Sequence, residues 1–227
     1  MTYTATQALI GQTNLWNNST DVQVLPAGVF LLPGAADSQA LLAEIARIAI
    51  AAPFRHMTVG SGKRMSVAMT NCGNWGWTSG AGGYRYTRQD PLSGALRTPW
   101  PAMPSAFKQL ASRCALRCGF AGFEPDACLI NRYTGSAHMG LHQDKDEQDF
   151  SQPIVSVSIG ASAIFLLGGN LRQDKTQAIT LSDGDVLVWG NVARLYFHAV
   201  RAPTADDSAS TSGEAPERMN LTFRKAR

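Results

Sequence analysis

Leu129-Ile130-Asn131-Arg132-Tyr133, followed by His142-Gln143-Asp144-Lys145-Asp146-Glu147, is the stretch around which the rest of the chain is arranged. In extended backbone, side chains alternate with period two, so His142 and Asp144 project to the same side. An imidazole nitrogen and a carboxylate oxygen can then reach one metal ion. The second histidine is sought in a distant strand. His198, in Arg194-Leu195-Tyr196-Phe197-His198-Ala199-Val200, is the best candidate. Two histidines and one carboxylate leave the opposite coordination positions open, which suits Fe(II) oxygen chemistry. The competing reading of His-x-Asp is a turn in which Asp144 accepts a backbone N–H.

Outward from this stretch the pattern is short strands and turns. From residue 127 onward strands are expected at about 127–133, 154–159, 161–167, 178–181, 185–189, 193–200 and 218–225. Before them, 22–32 alternates as a first strand closed by Pro33-Gly34, and 57–70 reads as two short strands around Gly60-Ser61-Gly62. Residues 36–52 form a helix capped by Asp37 or Ser38, with Leu41, Leu42, Ile45 and Ile48 as its inward stripe and Pro53 as its stop. Pro104 suits the first turn of a second helix, buried through Phe107, Leu110, Cys114 and Cys118 and ended by Gly119. Helices followed by many strands point to an α+β fold, an antiparallel sandwich backed by helices.

The chain has 227 residues, enough for one domain with a sizeable core. We expect an N-terminal arm over 1–18, one domain over 19–227, and a solvated loop over 202–216, rich in Ala, Ser, Thr, Asp and Pro. The net charge of +3 permits a nucleic-acid partner without arguing for one. The four cysteines have no zinc-site spacing, and Cys114-x-x-x-Cys118 reads as buried thiols on a helix face. With no signal peptide, long apolar run or disulfide framework, a cytoplasmic monomer without membrane association is expected.

Two further features carry chemistry. Arg218, in Arg218-Met219-Asn220-Leu221-Thr222-Phe223-Arg224, sets a fixed cation beyond the second histidine, and its fork can grip a carboxylate bidentately. Residues 71–97 are rich in Gly, Trp, Tyr and Arg and poor in aliphatics, so they form little core and read as part of a surface flap spanning about 55–97. Bases attacked at their pairing edge leave the stack and are held between aromatic faces. Trp77, Tyr84 and Tyr86 fit that need; the alternative is ordinary packing. Asp146 could face a cationic base, or could instead hold a ligand histidine or a turn. Lys63, Arg64, Arg85 and Arg88 could track phosphates.

Asn-x-Tyr upstream of His-x-Asp-x-Asp-Glu, with Arg-x-Asn-Leu-Thr-Phe-Arg near the end, resembles the AlkB family of Fe(II)/2-oxoglutarate-dependent nucleic-acid demethylases. Met65-Ser66-Val67-Ala68-Met69-Thr70-Asn71-Cys72-Gly73, Pro99-Trp100-Pro101-Ala102-Met103-Pro104 and Gly184-Asp185-Val186-Leu187-Val188-Trp189-Gly190 extend the likeness across nearly the whole chain. The resemblance implies a double-stranded β-helix, or jelly-roll, core. It implies Fe(II) on His142, Asp144 and His198, O2, and 2-oxoglutarate whose far carboxylate meets Arg218. Asn131 and Tyr133 would donate to the co-substrate, with Asn220 and Arg224 completing its wall, and Arg172 would contact substrate. The implied reaction is oxidative demethylation of 1-methyladenine and 3-methylcytosine in alkylated DNA, single strands preferred, releasing formaldehyde, succinate and CO2. The rivals are the same chemistry on RNA, free nucleotides or a protein side chain, and a non-enzymatic jelly-roll binding module.

Overall fold

Alternation along three central strands decides which residues face which layer. In β14 (Glu217–Arg224), Met219, Leu221 and Phe223 face one way, and Arg218, Asn220, Thr222 and Arg224 the other. β7 (Ala127–Thr134) and β9 (Ile154–Gly160) flank β14 in antiparallel register and repeat the division. Cys128, Ile130, Val155 and Val157 join the apolar side, while Asn131, Tyr133 and Ser156 join the polar one. The computed structural model describes residues 21–204 and 215–227. The arm expected over 1–18 and residues 205–214 of the expected loop lie outside them.

These strands form the centre of an eight-stranded sheet. Its other members are β1 (Gln23–Leu25), β2 (Val29–Leu32), β3 (Arg55–Thr58), β4 (Arg64–Gly73) and β12 (Val186–Trp189), in the order β1-β2-β12-β9-β14-β7-β4-β3. Its apolar face packs on two helices. Helix α1 (Ser38–Ala51) starts where the Ala40 amide donates to Asp37 at 3.1 Å and buries Leu41, Ile45 and Ile48. Helix α2 (Ser105–Arg117) follows Pro104 and buries Phe107, Leu110 and Cys114. Gly119 ends it at φ +87°, a left-handed conformation that suits glycine. Phe107 meets Phe223 edge-on at 5.9 Å. Truncating such a buried aromatic costs about 3–5 kcal/mol, so this layer supplies stability.

The opposite face packs on a four-stranded sheet of β8 (Met139–His142), β10 (Ala163–Leu167), β11 (Gln177–Leu181) and β13 (His198–Val200), ordered β11-β10-β13-β8. Leu31, Ile154, Leu187 and Trp189 meet Phe165, Leu167, Ile179 and Leu181 between the sheets. A second apolar cluster, with Met69, Leu129, Tyr133 and Val200, lies farther along, and the polar side chains of the site sit between the two. A hairpin, β5 (Gly76–Gly80) and β6 (Gly83–Thr87), forms a separate two-stranded sheet.

Several expectations need correction. The strand expected over 22–32 is a hairpin. Pro26 opens a turn in which Ala27 and Gly28 take φ of 60° and 72°, folding Leu25 back onto Val29. Leu42 is 40% exposed, because one residue is about 100° of rotation on a helix and Leu41 already occupies the inward line. The strand expected over 193–200 begins inside a 3-10 turn, Asn191–Leu195, and pairs as a strand only over His198–Val200. β8 lay in no expected strand. The flap expected over about 55–97 is narrower: β3 and β4 belong to the large sheet, Asn71 and Cys72 are buried, and the hairpin is the part that projects.

Candidate active site

Pairing of β13 with β8 sets His198 opposite His142, ring centroids 4.3 Å apart. Asp144 follows just beyond β8. Its Oδ1 lies 3.8 Å from His142 Nε2 and its Oδ2 3.8 Å from His198 Nε2. One ligand atom from each residue falls within 4.8 Å of the others. Each ring is oriented through its other nitrogen, with His142 Nδ1 donating to the Gly140 carbonyl at 2.8 Å and His198 Nδ1 to that of Tyr196 at 3.0 Å. That tautomer leaves both Nε2 lone pairs for a metal.

Phe165 stacks on His198 at 5.5 Å and Trp189 meets it at 5.4 Å. Burial pushes the His198 imidazole down to about 4, with His142 adding to the effect and Asp144 opposing it, so the ring is neutral at pH 7. Burial alone would raise Asp144. Arg224, His198 and His142 outweigh it and hold the carboxyl well below the usual carboxylate range. Arg224 donates to Asp144 Oδ2 through Nη2 at 2.7 Å and Nε at 3.2 Å. Two imidazole nitrogens and one ionised carboxylate fit Fe(II).

A narrow cavity of about 60 Å³ runs inward from this cluster. At its wall Arg218 is 1% exposed, lies over the Tyr133 ring at 5.3 Å and donates through Nη2 to Ser158 Oγ at 2.9 Å. Its Nε and Nη1 have no partner, and neither has the side-chain oxygen Oδ1 of Asn131. A buried guanidinium with two idle donors costs free energy. A ligand carboxylate removes that cost, which is the fit expected for a dicarboxylate co-substrate. Asn220 lines the same wall, but its amide is spent within the protein on Ser156, Val157, Asn131 and Thr222. Arg224 sits at the metal end, between Asp144 and Glu147, rather than beside Arg218.

A wider cavity of about 630 Å³ opens outward from His142 and Asp144. Trp77, Tyr84, Asp146, Arg172, Lys63 and Arg64 line it. Trp77 stacks on Tyr84 at 5.4 Å, and its indole Nε1 donates to Asp146 Oδ2 at 2.7 Å. The Asn71 side chain brackets the Trp77 backbone with two bonds of 3.0 Å. Tyr86 does not line either cavity. It shares the hairpin face of Trp77 but is buried at the hairpin's base, where its hydroxyl donates to Glu147 at 2.6 Å. Arg85 is exposed on the hairpin and lines neither cavity, and Arg88 lies over Trp75 at 4.8 Å. Cys114 and Cys118 are buried free thiols, each pushed up to about 12 chiefly by burial.

A family model for the 2OG-Fe(II) oxygenase superfamily matches residues 28–224. The chain is 48% identical over 189 residues to the alpha-ketoglutarate-dependent dioxygenase AlkB of Salmonella typhimurium, covering 83% of this chain and 85% of that one. The chain belongs to the AlkB family of 2OG-Fe(II) oxygenases. It is 43% identical over 109 residues to the DNA N(6)-methyladenine demethylase ALKBH1C of Arabidopsis thaliana, 44% of this chain and 24% of that one. The solved structure of OsALKBH1 matches with a TM-score of 0.74 at 29% identity, over 90% of this chain and 100% of that one. The expected jelly-roll core is therefore the fold, and this AlkB-family chain is a dioxygenase using Fe(II), 2-oxoglutarate and O2. No helix among the described residues is long and apolar enough to cross a membrane.

Other groups of this AlkB-family site had no role in the sequence reading. Ser156 and Ser158 were detectable as polar residues at period two inside the apolar run Ile154-Val155-Ser156-Val157-Ser158-Ile159. Phe165 and Trp189 carry no such signal, since any inward aromatic reads as core. Glu147 and Arg194 are buried and joined at 3.1 Å, with Glu147 also 3.5 Å from Arg224. Only the fold brings those three together.

Proposed function

We propose that this dioxygenase demethylates nucleic-acid bases, repairing 1-methyladenine and 3-methylcytosine in single-stranded DNA. The observation that carries the reading is Trp77 held by Asp146 over the mouth of the cavity that ends at His142 and Asp144. An aromatic face and a carboxylate together suit a flat cation, and methylation at adenine N1 or cytosine N3 makes the base one. Cation–π attraction contributes about 0.5–2 kcal/mol.

In this reading His142, Asp144 and His198 hold Fe(II), and Arg218 takes the far carboxylate of 2-oxoglutarate, with Asn131 and Tyr133 along its length. Arg224 keeps Asp144 ionised and fixed; Asn220 holds the wall. Bound iron with its co-substrate supplies the oxygen chemistry that hydroxylates the N-methyl group, which leaves as formaldehyde while 2-oxoglutarate becomes succinate and CO2. The protein's part is to orient and to exclude water. Tyr84 extends the stacking platform. Lys63, Arg64 and Arg172 at the rim, with Arg85 on the hairpin, meet backbone phosphates. Single strands are favoured because extruding a base from a duplex costs a few kcal/mol.

The test is turnover with Fe(II) and 2-oxoglutarate on oligonucleotides carrying 1-methyladenine, as single-stranded and duplex DNA and as RNA. Formaldehyde and succinate in equal amounts, fastest on single-stranded DNA, are expected. Succinate formation with every methylated oligonucleotide left intact would overturn the reading.

A further inference from the structure

Asp144 lies in an irregular segment, residues 143–153, between β8 and β9, with no ladder of backbone bonds to hold it. A metal ligand on such a segment needs another anchor, because an untethered loop samples many positions and pays ordering entropy when metal binds. Trp77, Tyr86, Arg224 and Arg227 each hold it at one or two points, and one further side chain ties three of its residues together. Arg194 is 2% exposed and reaches across from the 3-10 turn Asn191–Leu195. Its Nη1 donates to the Asp144 carbonyl at 2.7 Å, its Nε to the Gln152 carbonyl at 3.0 Å and its Nη2 to Glu147 Oε2 at 3.1 Å. Its guanidinium lies over the Phe150 ring at 5.3 Å. From the loop side, Gln143 Nε2 donates to the Leu195 carbonyl at 2.6 Å.

The turn that carries Arg194 and Leu195 leads directly into His198, whose ring is oriented by the carbonyl of Tyr196. Both arms of the metal face are thus fastened to one short element. We infer that Arg194, seconded by Gln143, is a positioning residue that assembles the Asp144–His198 edge of the metal face before metal arrives. This rests on the ligand assignment proposed above. Arg224 does a different job, gripping the Asp144 carboxylate, while Arg194 grips its main chain. The task calls for arginine: a planar fork bonds three groups in fixed directions, whereas an ammonium is a point charge on a flexible stem.

The test uses the full chain and Co(II) as the probe, read by its visible absorption and by the shift it causes in thermal midpoint. Arg194→Lys keeps the charge facing Glu147 and loses the fork. Its Co(II) affinity is expected to fall roughly ten- to a hundredfold, the usual effect of removing a group that orients a ligand. The apparent 2-oxoglutarate constant at saturating Fe(II) should not change, since Arg218 is untouched. Gln143→Ala should move Co(II) affinity the same way by less, and it carries the test if Arg194→Lys does not fold. Asp144→Ala is the control. If it abolishes Co(II) binding while the folded positioning variants bind within about twofold of wild type, well short of the usual effect, the positioning role is wrong and the ligand set stands. If Asp144→Ala binds as wild type does, the ligand set is wrong and the positioning role falls with it.

Discussion

The two cavities that meet at Asp144 are built in different ways. The inner one is a row of side chains on paired central strands. Arg218 and Asn220 from β14, Asn131 and Tyr133 from β7, and Ser156 from β9 sit in a register set by continuous backbone hydrogen bonds. The outer one is lined by β4 from Arg64 to Met69 and by β8, with Trp77 and Tyr84 from the hairpin and Asp146 and Arg172 from two loops, so its side chains come from several separate segments. A sheet face can hold unpaired donors such as those of Arg218 because its neighbours cannot move to satisfy them. The site therefore joins a co-substrate end built on one sheet face to a substrate end assembled from separate segments, with the metal ligands at the boundary.

The boundary should show the largest effect. Asp144→Ala is expected to abolish Fe(II)-dependent succinate formation, and its far-UV circular dichroism should match wild type because the helix-facing core is untouched. Full activity in this variant would remove Asp144 from the ligand set. At the inner end, Arg218→Lys keeps charge but loses the fork. The 2-oxoglutarate Michaelis constant should rise roughly ten- to a hundredfold, from about 1.5–3 kcal/mol of lost charge-assisted bonding. Steady-state kinetics with varied co-substrate would measure it, and an unchanged constant would place the co-substrate anchor elsewhere.

The outer end should respond less and in a different parameter. Trp77→Ala removes a stacking face worth about 1–3 kcal/mol per base. Turnover should fall for every lesion by a similar factor while the 2-oxoglutarate constant stays put. Trp77 also borders the inner cavity, so a rise in that constant would mean that its ring packs against the co-substrate, and the contrast between the two ends would weaken.

The same contrast explains what could be read from sequence. Arg218 stood out in the sequence as a fixed cation beyond His198, and the pairing of β14 with β7 sets it on the inner face. His142, Asp144 and His198 were legible, since a ligand pair and one distant histidine define a face. Tyr86 was placed with the stacking aromatics because alternation reports the side of a hairpin but not the distance along it. Only the fold shows its hydroxyl on Glu147. Arg194 was hidden inside an expected strand, where its direction would follow from period two. The 3-10 turn instead directs it into the Asp144 loop. Leu42 and the 22–32 hairpin were misread for a similar reason: a local pattern cannot say which of two adjacent residues, or which side of a proline turn, tertiary packing will choose.

The smallest expected effect is the most discriminating. Asp146→Asn removes a charge but keeps an oxygen that can accept from the Trp77 indole, so the platform stays in place. What changes is the response to the base. A carboxylate favours a cationic ring, and a hydrogen bond to an ionised acceptor is about twice as strong as one to a neutral acceptor. The loss is about 1 kcal/mol, or roughly fivefold in relative rate. Repair of 1-methyladenine and 3-methylcytosine should slow by that factor against the neutral lesion 3-methylthymine, measured as paired turnover rates on single-stranded DNA. If Asp146→Asn slows all three lesions equally, Asp146 acts only by holding Trp77. Trp77→Phe, which keeps a ring but loses the N–H, should then reproduce it. If the ratio shifts in Asp146→Asn and not in Trp77→Phe, the carboxylate reads the charge of the base directly.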